Sequence, residues 1–173
     1  MKIIKCKIEN LDKLALFYDD VTTYLDQNIN YPKWVKGSYP GRESTQKAIL
    51  KGEQYACFDN DTVVGAFIFN DDPQGAYEVG DWSVSLAGGE YMVIHTLAVH
   101  PSFYGKGIAK EMVNFCLDEA KKRGKKAVRL DVVPDNIPAK TLYEKCGFSL
   151  VGEYDLKRNI NYIPTFLLLE KNL

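Results

Sequence analysis

The chain has 173 residues, of which 46% are hydrophobic and 26% charged, and its 22 basic and 23 acidic side chains leave a formal net charge of -1. That is the length of one domain able to bury a sizeable core, so a single domain over residues 1–173 is expected, with ordinary globular composition. The balanced charge excludes a general basic field that would draw the protein onto nucleic acid or an anionic membrane.

In chain order, Lys2–Ile8 reads as a first strand, its apolar run being too short for a secretory leader. Asn10 or Asp12 caps a helix expected to run to about Asn28. Ile29–Pro40 (INYPKWVKGSYP) sets aromatic residues among proline and glycine and is expected as a loop or broken helix. A short helix follows over Arg42–Lys51. Gln54–Asp59 and Thr62–Asn70 read as strands flanking an Asn60-Asp61 turn, a hairpin. Asp71–Gly89 is rich in Gly, Asp and Ser, with one short ordered piece over Tyr77–Trp82, and it leads into a central strand over Glu90–Val99.

The next helix carries Ile108, Met112, Cys116 and Ala120 at four-residue spacing, with Ala109, Val113 and Leu117 alongside, a stripe that faces a sheet. Lys121, Lys122, Arg123, Lys125 and Lys126 gather at its end, where cations suit a helix C-terminus and Gly124 supplies the cap. They read as a solvated helix end rather than a nucleic-acid contact. Ala127–Val133 is a strand, Ile137–Lys145 a helix closed by Gly147, and Phe148–Asp155 and Pro164–Lys171 are the last strands. A strand–helix–strand unit with hairpins on either side argues for an α/β (α+β) protein: a mixed, mostly antiparallel sheet of about six to seven strands flanked by helices.

Four cysteines, Cys6, Cys57, Cys116 and Cys146, are scattered without metal-ligand spacing, and the chain has two histidines. No metal is therefore expected, and a reduced, cytoplasmic protein is. No apolar run approaches the length that spans a bilayer.

The segment YMVIHTLAVH-PSFYGKGIAK combines an apolar strand, a turn with Gly105 and Gly107, and a helix N-terminus. Such a turn is a ready anion site: glycine lets the backbone curl and a phosphate approach, and the free N–H groups and dipole of the first helical turn attract negative charge. A phosphorylated ligand is the expectation. A second constellation, DVVPDNIPAKTLYEKCGF, has Asn136 in a loop, Ala139 and Tyr143 one helical turn apart, and Gly147-Phe148 entering a strand.

Taken together, the two segments resemble the GCN5-related N-acetyltransferase (GNAT) family, with its R/Q-x-x-G-x-G/A pyrophosphate loop and its N-x-x-A-x-x-L-Y-x-K-x-G-F helix. The likeness covers Glu90 to roughly Gly152, about a third of the chain. It implies the GNAT fold and acetyl-coenzyme A as donor, the pantetheine arm pairing with backbone of Leu97, Ala98 and Val99. The amides of Tyr104, Gly105, Lys106, Gly107, Ile108 and Ala109 would hold the pyrophosphate. Asn136 would bond the pantetheine or the neighbouring backbone, and Ala139 and Tyr143 would complete the coenzyme site. Tyr104 stands where the family usually has Arg or Gln; Lys106 or Lys110 is expected to supply the missing charge.

Acetyl transfer to an amine needs a base, donors for the oxyanion and a proton for the leaving thiolate. The resemblance gives Tyr143 the general-acid role; otherwise it is an aromatic residue packing its helix on the sheet. His95 is the base candidate, on the same side of the strand as Leu97 if no bulge intervenes, and matching a histidine of the arylalkylamine acetyltransferase branch. The alternative is a satisfied, half-buried histidine. His100 reads as a turn residue.

For the acceptor, Tyr31, Trp34 and Tyr39 are the candidate binding residues, with Tyr77 and Trp82 and the acids Asp19, Asp20, Glu78 and Asp81 nearby in the pattern. They suit an amine-bearing small molecule, though Trp34 and Tyr39 equally suit pinning their loop to the core. Three readings stand: a small-molecule N-acetyltransferase, a protein N-terminal or lysine acetyltransferase, and a coenzyme-binding module without catalysis. A monomer or a homodimer is expected.

Overall fold

The computed structural model describes residues Met1–Leu173. Its strands are β1 (Lys2–Lys5), β2 (Gln54–Asp59), β3 (Thr62–Asn70), β4 (Tyr91–Val99), β5 (Ala127–Val132), β6 (Ser149–Tyr154) and β7 (Phe166–Asn172). The helices are α1 (Leu11–Asp26), α2 (Arg42–Leu50), α3 (Ile108–Lys122) and α4 (Ile137–Lys145). The seven strands form one sheet in the order β1-β2-β3-β4-β5-β7-β6, the expected class and strand number. It is mixed: β1–β2, β2–β3, β5–β7 and β6–β7 are antiparallel, whereas β4 runs parallel to β5.

The hairpin strands β2 and β3 and helix α4 have the expected bounds. Other ends differ. The first strand stops at Lys5 rather than Ile8: Ile8–Asn10 coil into a single 3-10 turn, with the Asn10 side chain accepting from the Lys7 N–H (2.9 Å). Helix α1 ends at Asp26 because the Asn28 amide turns back to donate to the Tyr24 carbonyl (2.8 Å). Ile29–Pro40 is a loop, closed by a two-residue bridge between Val35 and Tyr39. The ordered piece at Tyr77 is one 3-10 turn, Tyr77–Val79.

The chain gathers into two compact units. The first comprises Met1–Asn30, Trp34–Phe69 and His95–Met112. Its core sets Leu11, Leu14, Phe17, Tyr18, Val21 and Leu25, spaced three and four apart on one face of α1, against Ala56, Val63, Ala66 and Ala98 of the strands, with Ile49 of α2 alongside. Burying an apolar side chain of this size contributes roughly 1.5–3 kcal/mol, so this face is what holds α1 to the strands.

The second unit comprises Tyr31–Lys33, Asn70–Ile94 and Val113–Leu173. Here Tyr77, Tyr91, Val93, Ala127, Leu156, Phe166 and Leu168 form the core. Two ion pairs pin loops onto it, the first buried and the second partly buried. Arg129 of β5 and Glu170 of β7 are direct cross-strand partners, joined at 2.9 Å, and Glu170 also accepts from the Ser83 N–H (3.1 Å) and hydroxyl (2.6 Å). The Arg129 guanidinium lies between the rings of Trp82 (4.0 Å) and Tyr91 (4.4 Å). Further along β5, Asp131 takes a two-pronged bond from Arg158 (2.7 Å each) and the Tyr77 hydroxyl (2.6 Å). No helix is long and apolar enough to cross a membrane.

Candidate active site

Strand β4 runs unbroken from Tyr91 to Val99, but its backbone is distorted in the middle. Thr96 has φ +51°, the left-handed region, which a β-branched residue rarely enters. One left-handed residue within extended backbone acts as a bulge does, and it interrupts the two-residue alternation of side chains. The expectation that His95 and Leu97 share one side of the strand depended on regular alternation; the bulge falls between them and removes that ground. His95 is half-buried.

The bulge is held from two directions. Tyr18, 1% exposed on α1, donates its hydroxyl to the Thr96 carbonyl at 3.1 Å. The Tyr39 hydroxyl hydrogen-bonds the Thr96 hydroxyl. Burial pushes the Tyr18 phenol far above its ordinary range, the Gln54 amide beside it acting weakly the other way, so Tyr18 remains a donor. Beyond the bulge, Ala98 is buried in the α1 core, which turns Leu97 and Val99 to the opposite face by strand alternation.

After β4 the chain makes one 3-10 turn over Pro101–Phe103. His100 is the turn residue expected: its Nδ1 accepts from the Ser102 N–H (3.3 Å), and its Nε2 lies 3.5 Å from the Asp20 carboxylate. Gly105 (φ +76°) and Gly107 (φ +79°) then take left-handed conformations, and a Cβ at either position would meet nothing within 4 Å. The turn therefore opens on space as it enters α3, whose first N–H groups have no partners within the helix. Tight curl, open approach and helix N-terminus together are the features by which such a turn could hold a phosphate. Ile108 is buried under the turn, while Ala109 is half-buried and Lys110 exposed.

Tyr104 does not point a charge at the turn. Its ring meets Tyr24 of α1 edge-on, centroids 5.8 Å apart. The Lys106 ammonium lies over the Phe103 ring at 4.5 Å. Asp20 and Tyr24, one helical turn apart on α1, thus fasten the helix to His100 and Tyr104 of the loop.

In the second unit, Asn136 is the N-cap of α4, its side-chain oxygen accepting from the Ala139 N–H at 3.2 Å. This is a bond to neighbouring backbone, one of the two alternatives expected for Asn136. Ala139 is half-buried. Tyr143 is 7% exposed, its ring edge-on to Phe148 at 5.6 Å. Burial, with the Cys116 and Asp131 groups adding to it, pushes its phenol far above the ordinary value. A phenol so held keeps its proton through the neutral range and serves as a donor, not a base.

The acceptor candidates separate into three kinds. Trp34 is packed against the α1 core and its backbone is bracketed by Asn30, which accepts from its N–H (3.1 Å) and donates to its carbonyl (2.7 Å). Tyr39 is 41% exposed while its hydroxyl reaches Thr96, and Tyr31 is half-buried. Tyr77 and Trp82 belong to packing: Tyr77 is 2% exposed on Asp131, and the Trp82 indole donates to the Tyr77 carbonyl (2.7 Å). Asp19, Glu78 and Asp81 are exposed. No three His, Cys, Asp or Glu side chains gather as a metal site.

The chain matches the acetyltransferase (GNAT) family over residues 22–148, and it belongs to that family. It is 30% identical over 79 residues to an L-methionine sulfoximine/L-methionine sulfone acetyltransferase of Salmonella typhimurium, 46% of each chain being covered. It is 35% identical over 101 residues to a streptothricin acetyltransferase of Escherichia coli, covering 58% of this chain and 51% of that one. It is 33% identical over 72 residues to the ribosomal protein bS18-alanine N-acetyltransferase of Escherichia coli K12, covering 42% and 45%. The chain thus spans about half the length of the curated relatives it matches. The crystal structure of a GNAT-family acetyltransferase from Streptococcus agalactiae superposes with a TM-score of 0.79 over 99% of this chain and 95% of that one. At 18% identity, that likeness speaks to the fold alone.

Proposed function

We propose that this chain is a single N-acetyltransferase domain that moves an acetyl group from acetyl-coenzyme A to the primary amine of a small molecule. The observation that carries the reading is the left-handed, open pair Gly105 and Gly107 at the start of α3, directly after a bulged β4. The amides of Tyr104–Ala109 would bind the pyrophosphate, and the backbone of Leu97, Ala98 and Val99 the pantetheine. Bound acetyl-coenzyme A supplies an acyl thioester. The amine nitrogen attacks the thioester carbon directly, the C–N bond forms, the C–S bond breaks, and the amine loses one proton. His95, or a water it orders, takes that proton; the Tyr143 hydroxyl protonates the departing thiolate. A strand amide at Leu97 or Val99 would stabilise the oxyanion.

The exposed Tyr39 and the half-buried Tyr31 and Trp34 favour a compact amine over an extended peptide. The four cysteines are free thiols, three of them buried, which supports a reducing, cytoplasmic setting. A second reading, acetylation of a protein N-terminus or lysine, draws support from the bS18-alanine acetyltransferase among the relatives. A panel of small amines and peptides, read by release of free coenzyme thiol, separates them. Turnover on small amines and not on peptides is the result expected. Turnover on peptides alone supports the second reading, and coenzyme binding with no turnover on any acceptor leaves a non-catalytic module.

A further inference from the structure

We propose that Tyr39 is a positioning residue: through its hydroxyl it holds the Thr96 bulge, and so sets the β4 amides that follow, coupling the loop that faces the acceptor to the strand that faces the coenzyme. The inference rests on the acetyltransferase reading for its meaning, though its geometry lies within Trp34–Tyr39, α1 and β4.

Thr96 is neither glycine nor asparagine, yet it holds φ +51° inside a strand. Left-handed backbone at a β-branched residue is strained and persists only where the surroundings over-determine it. Two hydroxyls do so here, and they differ in kind. Tyr18 is sealed in the α1 core and bonds the backbone carbonyl, a fixed part of the scaffold. Tyr39 bonds the side-chain hydroxyl from the end of a small hairpin, closed by the Val35 N–H donating to the Tyr39 carbonyl and the Tyr39 N–H donating back, each at 3.0 Å. The residue as a whole is 41% exposed. A molecule seated on its ring acts on the hydroxyl at the far end, and the hydroxyl acts on the residue immediately before Leu97.

Had Tyr39 served only as a contact for the acceptor, removing its hydroxyl would weaken acceptor binding. A positioning role places the loss in the chemical step. It also makes the loss depend on the strain at Thr96. Glycine takes left-handed backbone without side-chain strain, so a bulge built on glycine has no need of the Tyr39 bond.

The test compares wild type, Tyr39→Phe, Thr96→Gly and the double variant by steady-state kinetics, and by hydrogen exchange of the Leu97–Val99 amides in the free protein. In the native background Tyr39→Phe is expected to lower kcat about tenfold, the equivalent of one hydrogen bond to a strained site, with the acceptor KM little changed and those amides exchanging faster. In the Thr96→Gly background the same change is expected to do neither. Should Thr96→Gly fold poorly, Thr96→Asn takes its place, since asparagine tolerates the left-handed region. A change confined to KM, an equal loss in both backgrounds, or unaltered amide exchange overturns the proposal. If wild type acetylates no acceptor, the acetyltransferase reading has failed; amide exchange, which needs no ligand, then decides the coupling alone.

Discussion

Tyr18 donates its buried hydroxyl to the carbonyl of Thr96, 3.1 Å away, and so ties the middle of α1 to the bulge in β4. Replacing Tyr18 by Phe keeps the ring in the core and removes the only atom that makes this bond. A part-buried carbonyl left without that donor costs roughly 1–2 kcal/mol. Tyr18→Phe should therefore lower the melting temperature by about 5 °C. An unchanged melting temperature means that Thr96 holds its conformation without this bond.

The proposed chemistry distinguishes two side chains by their response to pH. Tyr143→Phe preserves the contact with Phe148 and deletes the proton donor; turnover should fall about a hundredfold or more at every pH, with little change in stability. His95→Gln removes a group that accepts a proton only when neutral. Wild-type turnover should fall toward acid pH, where a protonated imidazole can no longer accept the proton, and the variant should be slow and lack that dependence. Tyr143→Phe at full turnover returns Tyr143 to a packing role, and a retained dependence does the same for His95.

Asp131 binds Arg158 and the Tyr77 hydroxyl together, so it fastens the segment around Pro73–Tyr77 and the β6–β7 connection to the end of β5. Arg158→Met leaves the Asp131 carboxylate, a side chain only 10% exposed, without its counter-ion. Breaking one partner out of a fully buried pair costs roughly 3–5 kcal/mol, and this part-buried pair should cost less, about 1–3 kcal/mol. Chemical denaturation should show a loss of that order, and the conservative Arg158→Lys, which cannot make the two-pronged bond, should recover part of it. Equal stability of Arg158→Met and wild type would show the pair to be dispensable.

Alkaline pH should weaken the fold. Burial pushes the Cys6 thiol up to about 12 and holds the Cys116 thiol and the Tyr18, Tyr77 and Tyr143 phenols well above their ordinary values. In the unfolded chain these groups ionise near their usual values, about 8.5 for thiol and 10 for phenol. Above those values the native state binds more protons than the unfolded one, so stability falls as pH rises. The contribution is complete below about pH 8.5 and is lost upward through the folded values. Melting temperatures should decline from about pH 9, and the phenolate absorbance of these three tyrosines should appear only with unfolding. A flat melting curve to pH 11 or so contradicts this.

What the sequence made legible was local. The Asn60-Asp61 turn between two apolar runs placed β2 and β3, and the turn spacing of Ala139 and Tyr143 with the closing Gly147 placed Ile137 through Lys145, because neighbours in sequence decide those elements. The glycine turn announced its conformation, since only glycine takes it readily. The bulge did not. Threonine favours strands, and the hydroxyls that hold Thr96 left-handed come from Tyr18 and Tyr39, 78 and 57 positions away. Arg129 and Glu170 did carry a signal: each is a charge inside an apolar strand, which demands a buried partner, and they are that partner for each other. The roles of Tyr77 and Trp82 were hidden for the opposite reason. An aromatic residue in a loop looks alike in sequence whether it lines a pocket or, as here, seals a core.

The central claim is that the turn from Tyr104 to Ala109 binds the pyrophosphate of acetyl-coenzyme A. Titration calorimetry of acetyl-coenzyme A into wild type and Gly107→Val tests it most directly. Saturable one-to-one binding is predicted for wild type, weakened about tenfold or more by a β-branched residue forced into φ +79°, with the two proteins equally folded. Absence of binding by wild type, or equal affinity in the two, contradicts it.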